Sequence, residues 1–277
     1  MNMSHLVVDG HRVAVELRGE GTGAAPLVIC SPALGDTRDA YGPLADHLVA
    51  HGYRVALLDL RGHGDSDTGF PRYGDEATAD DLLAAIDALA DGRPVFLAGA
   101  SMSAASAVIA AGRRPEAVAG LVLLAAPLRN GRAASALMLA LRVLLSRPWG
   151  PAFWRAYSTR LWPGLGADAR TRAAAGTRLL TRPGRWPAFT ATVAGTDHSV
   201  VAPWLPRVTA PALVVMGEAD PDWRDPAAEA RWAAGRLDGD LLLVPGAGHA
   251  PMLESPAVVA PRVVAFLDGA TDAARRP

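Results

Sequence analysis

The chain has 277 residues, half of them hydrophobic, and 27 basic residues nearly balance 28 acidic ones, for a formal charge of −1. This composition supplies a large apolar core and excludes disordered and fibrous proteins. The balanced charge argues against a binder of nucleic acid or of anionic membranes, which needs clustered positive charge.

The residue types that the sequence lacks, or contains only once, exclude several kinds of reaction and site. All 27 basic residues are arginine, which excludes a Schiff-base lysine and a phosphate-loop lysine. The single cysteine, Cys30, excludes an intramolecular disulfide and a metal cluster built on cysteines. Residues 1–8 lack the pattern of a signal peptide, and the apolar runs stop short of the roughly 18–20 residues of a membrane span. We expect a cytoplasmic protein without nucleic-acid or membrane partners.

Short apolar runs alternate with amphipathic helical segments, which is typical of parallel strands connected by helices. The dipeptide Asp9-Gly10 between two strand-like runs, 5–8 and 12–17, predicts a β-hairpin. In chain order, the remaining pattern predicts strands at 26–30, 55–58, 95–98, 121–125, 213–216 and 241–244, with helices at 39–50, 76–90, 103–111 and from Ser255-Pro256 onward.

Residues 128–203 interrupt this alternation. They contain helix-like Ala/Leu/Arg segments broken by proline and glycine, and no clear strand. Five of the seven tryptophans lie in this block or directly after it: Trp149, Trp154, Trp162, Trp186 and Trp204. We interpret the block as a helical insertion between two strands of the sheet.

A candidate nucleophile, Ser101, lies in the segment Gly99-Ala100-Ser101-Met102-Ser103, between a predicted strand and a predicted helix. A serine in such a sharp turn exposes its hydroxyl above the sheet, and it requires small residues two positions before and after it. Gly99 meets this requirement, whereas Ser103 replaces the more usual glycine. The strand before and the helix after favour a nucleophile over an ordinary turn serine. The Met102 amide, at the helix N-terminus, is a candidate oxyanion donor.

A serine nucleophile needs a base, and the base needs an orienting acid. The candidate base is His249, in a Gly/Pro-rich loop after the last strand; His63, on a glycine-flanked turn, is its competitor. The candidate acid is Asp220, just past its strand and 29 residues before His249. Nearby carboxylates are possible substitutes: Glu218, Asp222 and Asp225.

The order serine, acid, histidine is that of the α/β-hydrolase fold, and the chain resembles this family over nearly its whole length. Residues 59–66 look like the family's turn after the fourth strand, residues 217–220 like its acid loop, and residues 248–251 with Glu254 like its histidine loop. The resemblance implies an α/β fold with a mostly parallel eight-stranded sheet flanked by helices. It also implies a hydrolase core of residues 1–127 and 204–277, a helical cap of residues 128–203 after the sixth strand, and no cofactor or metal.

The chain departs from the family after the third strand, where His-Gly is usual and Ser31-Pro32-Ala33-Leu34-Gly35 is found. By position the second oxyanion donor is the amide of Ala33, because Pro32 has no N–H. The segment looks somewhat like the corresponding loop of enol-lactonases, which hints at lactones. Candidate substrate contacts are Leu34, Met102, Trp154 and Trp186, although each tryptophan could equally fasten the insertion to the sheet.

These patterns predict a cofactor-independent serine hydrolase that cleaves an apolar carboxylic ester or lactone through an acyl-enzyme. Serine at position 101 separates the chain from family members with aspartate there, such as epoxide hydrolases and haloalkane dehalogenases. Two alternatives remain open. The same three residues can serve perhydrolysis, acyl transfer or C–C bond hydrolysis, or the chain can be a ligand-binding protein or receptor on a hydrolase scaffold, with vestigial turnover. Neither the substrate nor the oligomeric state follows from the sequence.

Overall fold

The strands form one eight-stranded sheet. The computed structural model describes residues 2–19, 25–131 and 140–275. The strands are β1 Asn2–Val8, β2 His11–Arg18, β3 Leu27–Ser31, β4 Arg54–Leu58, β5 Val95–Ala100, β6 Val118–Leu124, β7 Ala212–Gly217 and β8 Asp240–Val244. Their order is β1-β2-β4-β3-β5-β6-β7-β8. β2 pairs antiparallel with both of its neighbours and all other neighbours pair parallel, which confirms the predicted fold class.

Helices connect the parallel strands, as the sequence predicts. They are α1 Gly42–Ala50, α2 Asp75–Leu89, α3 Met102–Arg113, α4 Gly150–Leu161, α5 Asp168–Leu180, α6 Arg185–Gly195, α7 Pro226–Leu237, α8 Pro251–Glu254 and α9 Pro256–Arg275. The helix predicted at 39–50 is divided, with a 3₁₀ turn over Arg38–Tyr41 before α1. Pro43 lacks an N–H and is tolerated only in the first turn of a helix, so a new helix begins at Gly42. Within the described ranges, no helix combines the length and the apolar character needed to cross a bilayer.

The sheet is buried on both faces. Helices α2, α3 and α7 cover one face, and α1 and α9 cover the other. Successive residues of β3 point to opposite faces of the sheet. Ile29 packs on the face that α2, α3 and α7 cover, and Val28 and Cys30 pack on the face that α1 and α9 cover. Burial on both faces explains why the central strands are continuous apolar runs. Polar loops are therefore confined to the strand ends, and the loops after β3, β5, β7 and β8 share one edge.

Between β6 and β7 the described residues form helices α4, α5 and α6 and no strand, as predicted for the insertion; positions 132–139 lie outside the described residues. This segment has an apolar cluster of its own, made of Leu145, Trp154, Leu180, Trp186, Phe189 and Val193. Leu34, from the loop after β3, packs against the cluster. The insertion therefore contacts the edge of the sheet at which the candidate residues lie.

Candidate active site

Ser101 lies at the sharp turn between β5 and α3. Its φ of +53° and ψ of −124° fall in a region that costs a residue with a side chain about 1–3 kcal/mol. Its amide donates to the carbonyl of Leu124 at 2.8 Å, and its side chain is partly buried. A Cβ on Gly99 would overlap the carbonyl oxygen of Ser103. Strand and helix thus approach each other as closely as the sequence motif requires.

The β3 loop, residues 31–35, is held by side chains from other elements. The hydroxyl of Ser103 donates to the carbonyl of Pro32 at 2.6 Å and lies 2.9 Å from the hydroxyl of Ser31. The fully buried hydroxyl of Tyr41 lies 3.0 Å from the carbonyl oxygen of Ser31 and 2.9 Å from that of Ala98, and its one proton is shared between these two acceptors. The loop that carries the Ala33 amide is therefore fixed to the turn that carries the candidate nucleophile.

His63, the competing histidine, forms a hydrogen bond with the same loop. Its Nε2 accepts from the amide of Gly35 at 3.1 Å, and its Nδ1 donates to the carbonyl of Arg61 at 2.9 Å. Burial lowers the pKa of His63 to about 4, so the ring stays neutral and Nε2 keeps its lone pair. Both ring nitrogens are engaged, which leaves His249 as the stronger candidate for the base.

His249 and Asp220 meet as the chain order predicts. Nδ1 of His249 lies 2.8 Å from Oδ2 of Asp220, and the two side chains are 8% and 0% exposed. An ionised carboxylate can only accept, so in the neutral ring Nδ1 carries the proton and Nε2 has the lone pair. The pair has the tautomer that a general base requires.

Close packing of two loops produces this pair. A Cβ on Gly217 would overlap the carbonyl oxygens of Ala247 and Gly248, so only glycine lets the β7 loop (residues 217–222) approach the β8 loop (residues 245–251). The amide of Ala219 then donates to the carbonyl of Ala247 at 2.9 Å. Backbone pairing of the two loops places the acid beside the imidazole.

A second carboxylate, Asp222, faces the imidazole. Its Oδ2 lies 3.6 Å from Nδ1 of His249, and it accepts a hydrogen bond from the hydroxyl of Tyr157 in α4. Burial by itself lowers the pKa of His249, but the charges of Asp220 and Asp222 outweigh it and raise that pKa to about 9. Sequence reasoning treated Asp222 only as a substitute acid. The acid-x-acid spacing was its signal, whereas nothing in the sequence indicated Tyr157.

Glu254 ties the β8 loop to the insertion. Its Oε2 accepts from the amides of Gly248 and Gly164, each at 2.8 Å, and its Oε1 accepts from the amide of Ala250 at 2.9 Å. The amides of Gly248 and Ala250 flank His249 on both sides. The glutamate that follows the histidine motif therefore fixes the backbone around His249.

Helix α4 contacts all three loops. Trp154 packs on the β3 loop, Tyr157 donates to Asp222 in the β7 loop, and the carbonyl of Leu161 accepts from the amide of His249 at 2.8 Å. Trp154 and Tyr157 are three residues apart and share a helix face. Leu161 is the last residue of the helix, so its carbonyl has no partner within the helix and can accept from His249.

The predicted substrate contacts lie in different environments. Trp154 belongs to the apolar cluster of the insertion, and Leu34 packs against this cluster. Trp186 is 3% exposed and its indole N–H donates to the carbonyl of Leu145 at 3.1 Å. Met102 is 1% exposed, and its sulfur lies 3.2 Å from the hydroxyl of Thr196. Trp154, Trp186 and Met102 are thus buried and Leu34 is partly buried; substrate contact stays a prediction for all four.

Asp220, Asp222 and His249 also have the spacing of a metal site, since one potential ligand atom from each lies within 4.8 Å of the others. However, Nδ1 of His249 shares its proton with Asp220, and a metal ion there would have to displace that proton. The arrangement fits a hydrogen-bonded acid–base pair better than a set of ligands.

Comparison with known proteins shows the family and the fold. A family model described as "Alpha/beta hydrolase family" matches residues 27–262. The 2-(acetamidomethylene)succinate hydrolase of Mesorhizobium japonicum is 30% identical over 268 residues, which cover 94% of each chain. In fold, the chain is similar to a thermophilic esterase from Thermogutta terrifontis (TM-score 0.79, 24% identity, covering 98% of this chain and 99% of the esterase). It is also similar to the enol-lactonase from Burkholderia xenovorans (TM-score 0.80, 23% identity, covering 96% and 100%).

Proposed function

The chain belongs to the alpha/beta hydrolase family of enzymes, and from this premise we propose that it is a serine hydrolase that cleaves a carboxylic ester or lactone through an acyl-enzyme. The observation that carries the proposal is the buried contact of 2.8 Å between His249 and Asp220. The loops that hold this pair leave the same edge of the sheet as the turn at Ser101.

Acylation follows from these positions. As Oγ of Ser101 attacks the carbonyl carbon, Nε2 of His249 takes its proton, while Asp220 holds Nδ1–H and stabilises the imidazolium. The electron pair of the carbonyl bond moves onto oxygen, and the amides of Met102 and Ala33 donate hydrogen bonds to the resulting oxyanion. Each donor contributes on the order of 3 kcal/mol. The intermediate then collapses, the C–O bond breaks, and His249 protonates the leaving alcohol.

Deacylation distinguishes ester hydrolysis from two of the alternatives that share these residues, perhydrolysis and acyl transfer. Water activated by His249 releases the acid and restores Ser101. Hydrogen peroxide in place of water yields a peracid, and an alcohol yields a new ester. Incubating one ester substrate with and without each acceptor, and quantifying the products, therefore separates hydrolysis from perhydrolysis and acyl transfer.

We also propose that residues 128–203 act as a cap over Ser101, separate from a core of residues 1–127 and 204–277. The contacts of α4 with the β3, β7 and β8 loops support this division. The aromatic side chains of the cap favour an apolar substrate. One terminal nitrogen of Arg172, on α5, is paired with Asp36 at 2.6 Å, and the buried Nε of this residue has no hydrogen-bond partner among the described residues.

A substrate panel tests this preference. It contains short and medium acyl esters, small lactones, and 2-(acetamidomethylene)succinate, which the Mesorhizobium japonicum relative hydrolyses according to its name. Turnover of the neutral esters or lactones is the expected result. Turnover of the dicarboxylate alone would contradict the proposed substrate class.

The nucleophile is tested by intact-mass measurement after incubation with a fluorophosphonate. We expect one adduct on the wild type and none on Ser101→Ala, because only a serine activated by a neighbouring base attacks phosphorus. The variant should also lose ester turnover while its thermal unfolding stays near that of the wild type. An equal adduct on the folded variant, or no adduct on the folded wild type, would contradict the mechanism.

A further inference from the structure

Ser103 is a fully buried serine at the position where the motif usually has glycine. Its Oγ lies 2.6 Å from the carbonyl oxygen of Pro32 and 2.9 Å from Oγ of Ser31. The carbonyl can only accept, so the single proton of the Ser103 hydroxyl goes to Pro32, and Ser31 donates in turn to Ser103. The three groups form a directed chain from Ser31 through Ser103 to Pro32.

The carbonyl at the end of this chain belongs to the peptide group that contains the Ala33 N–H. A peptide group is planar, and this one is trans, so its C=O and N–H point in opposite directions. A hydrogen bond that fixes the direction of the Pro32 carbonyl therefore also fixes the direction of the Ala33 N–H. It polarises the amide as well, which strengthens the N–H as a donor.

This bond matters because the other described contacts of the loop hold different groups, such as the carbonyl of Ala33, which accepts from the amide of Asp36 at 3.0 Å. Pro32 has no N–H with which to anchor itself. The hydroxyl of Tyr41 shares its proton between the carbonyls of Ser31 and Ala98, and the Nε2 of His63 accepts from the amide of Gly35, so the loop is contacted at both ends. The peptide that carries the Ala33 amide lies between these ends, and Ser103 is the side chain that holds its carbonyl.

We propose that Ser103 is a positioning residue for the reaction: its hydroxyl orients the Pro32–Ala33 peptide so that the Ala33 N–H faces the developing oxyanion. The inference rests on the proposed function, because an oxyanion forms only if Ser101 attacks a carbonyl. It assigns to this serine a task that glycine at the same position cannot perform.

Two substitutions test it. Ser103→Ala removes the hydroxyl and keeps Cβ, whereas Ser103→Gly introduces the residue that the motif usually has. Ser106→Ala is the matched control: Ser106 is equally buried on the same helix, but its hydroxyl donates to the helix carbonyl of Met102 at 3.0 Å. Ser31→Ala removes the start of the chain of hydrogen bonds and leaves the bond between Ser103 and Pro32 in place.

For both Ser103 variants we expect kcat to fall about 10–100-fold while KM stays within about twofold, because a misdirected donor weakens binding of the transition state more than binding of the substrate. The rate of fluorophosphonate labelling should fall in parallel. Ser106→Ala should keep wild-type kinetics, and Ser31→Ala should show a smaller loss than Ser103→Ala. Circular dichroism and thermal unfolding establish that each variant is folded.

The outcomes separate the two claims. A Ser103→Ala enzyme that unfolds at a lower temperature but keeps its kcat would show a purely structural role and overturn this inference, with the proposed function intact. An equal loss of kcat in Ser106→Ala would overturn it too, since the effect would not be specific to the β3 loop. A wild type without Ser101-dependent labelling or turnover would overturn both claims.

Discussion

Two carboxylates face the Nδ1 of His249, Asp220 at 2.8 Å and Asp222 at 3.6 Å, and Glu254 lies near the same ring. Burial opposes a charged imidazole, but these negative charges prevail and raise the pKa of His249 to about 9. Only the neutral ring can take a proton from Ser101. The value of kcat/KM should therefore rise with pH through the pKa of His249, on the alkaline side of an ordinary histidine.

We expect Asp222→Asn to move this rise in kcat/KM toward lower pH by about one unit, because removing a negative charge lowers the pKa of His249. Activity at neutral pH should increase, since more of the imidazole is then neutral. Asparagine keeps an oxygen that can accept from Tyr157, so the contact with α4 survives. The measurement is the pH profile of kcat/KM for both proteins.

Asp225→Asn is the control for this change in charge. Asp225 caps α7 through the amide of Ala228 at 2.9 Å, and asparagine caps a helix equally well. Its profile should coincide with that of the wild type. An Asp222→Asn profile that also coincides would refute a contribution of Asp222 to the basicity of His249.

Helix α4 is the element that connects the insertion to the catalytic edge. Its Trp154, Tyr157 and Leu161 touch the β3, β7 and β8 loops in turn, so a displacement of this helix disturbs all three loops. The tightest of these contacts involves Gly35, whose φ is +81° and whose missing Cβ would overlap the ring of Trp154. Glycine is needed there for its backbone conformation and for space.

We expect Gly35→Ala to lower the free energy of unfolding for two reasons. A side chain at positive φ costs about 1 kcal/mol, and overpacking against Trp154 costs about 1–3 kcal/mol. Gly10→Ala isolates the first term, because Gly10 has a φ of +78° and no atom lies within 4 Å of the position that its Cβ would take. Chemical denaturation measures both free energies of unfolding. Equal losses of unfolding free energy in the two variants would mean that Trp154 of α4 does not pack tightly against the β3 loop.

Across the whole molecule, Arg61 joins segments that are far apart in sequence. Its guanidinium is 2% exposed and binds both carboxylate oxygens of Asp81 in α2, Asp9 in the first hairpin, and the carbonyl of Arg72. Buried ion pairs contribute little net stability when complete, but removing one partner leaves an uncompensated charge. Moving the hairpin, the turn after β4 or α2 relative to one another would therefore break an ion pair of Arg61 and lower the free energy of unfolding.

We expect Arg61→Met to lower the free energy of unfolding by about 3–5 kcal/mol, because the Asp81 carboxylate stays buried without its partner. Arg72→Met is the control: it breaks a more exposed pair with Asp80 at 2.9 Å and should cost less than about 1 kcal/mol. The double variant Arg61→Met/Asp81→Leu should recover most of the loss. Similar losses of unfolding free energy for Arg61→Met and Arg72→Met would show that the buried ion pair of Arg61 matters no more for stability than an exposed one.

Much of the architecture could be predicted from local patterns. The central strands were recognisable as continuous apolar runs because both faces of the sheet are covered. The candidate nucleophile could be found because its turn places demands on neighbours in sequence, as the contact between Gly99 and Ser103 illustrates. The helix boundary at Gly42 was missed because the apolar spacing continues across it, although the backbone conformation changes.

The sequence by itself determined the order of strands and helices along the chain, the motif at Ser101 and the Asp220 and His249 candidates, since each depends on residues within one loop or one helical turn. The tertiary structure decided which distant groups meet. Ser103 bonds to a residue 71 positions away and Tyr157 to one 65 positions away. Such partners share no local spacing, so only the packing of strands and helices specifies them. The hydrogen bonds that position the candidate site therefore depend on the tertiary structure.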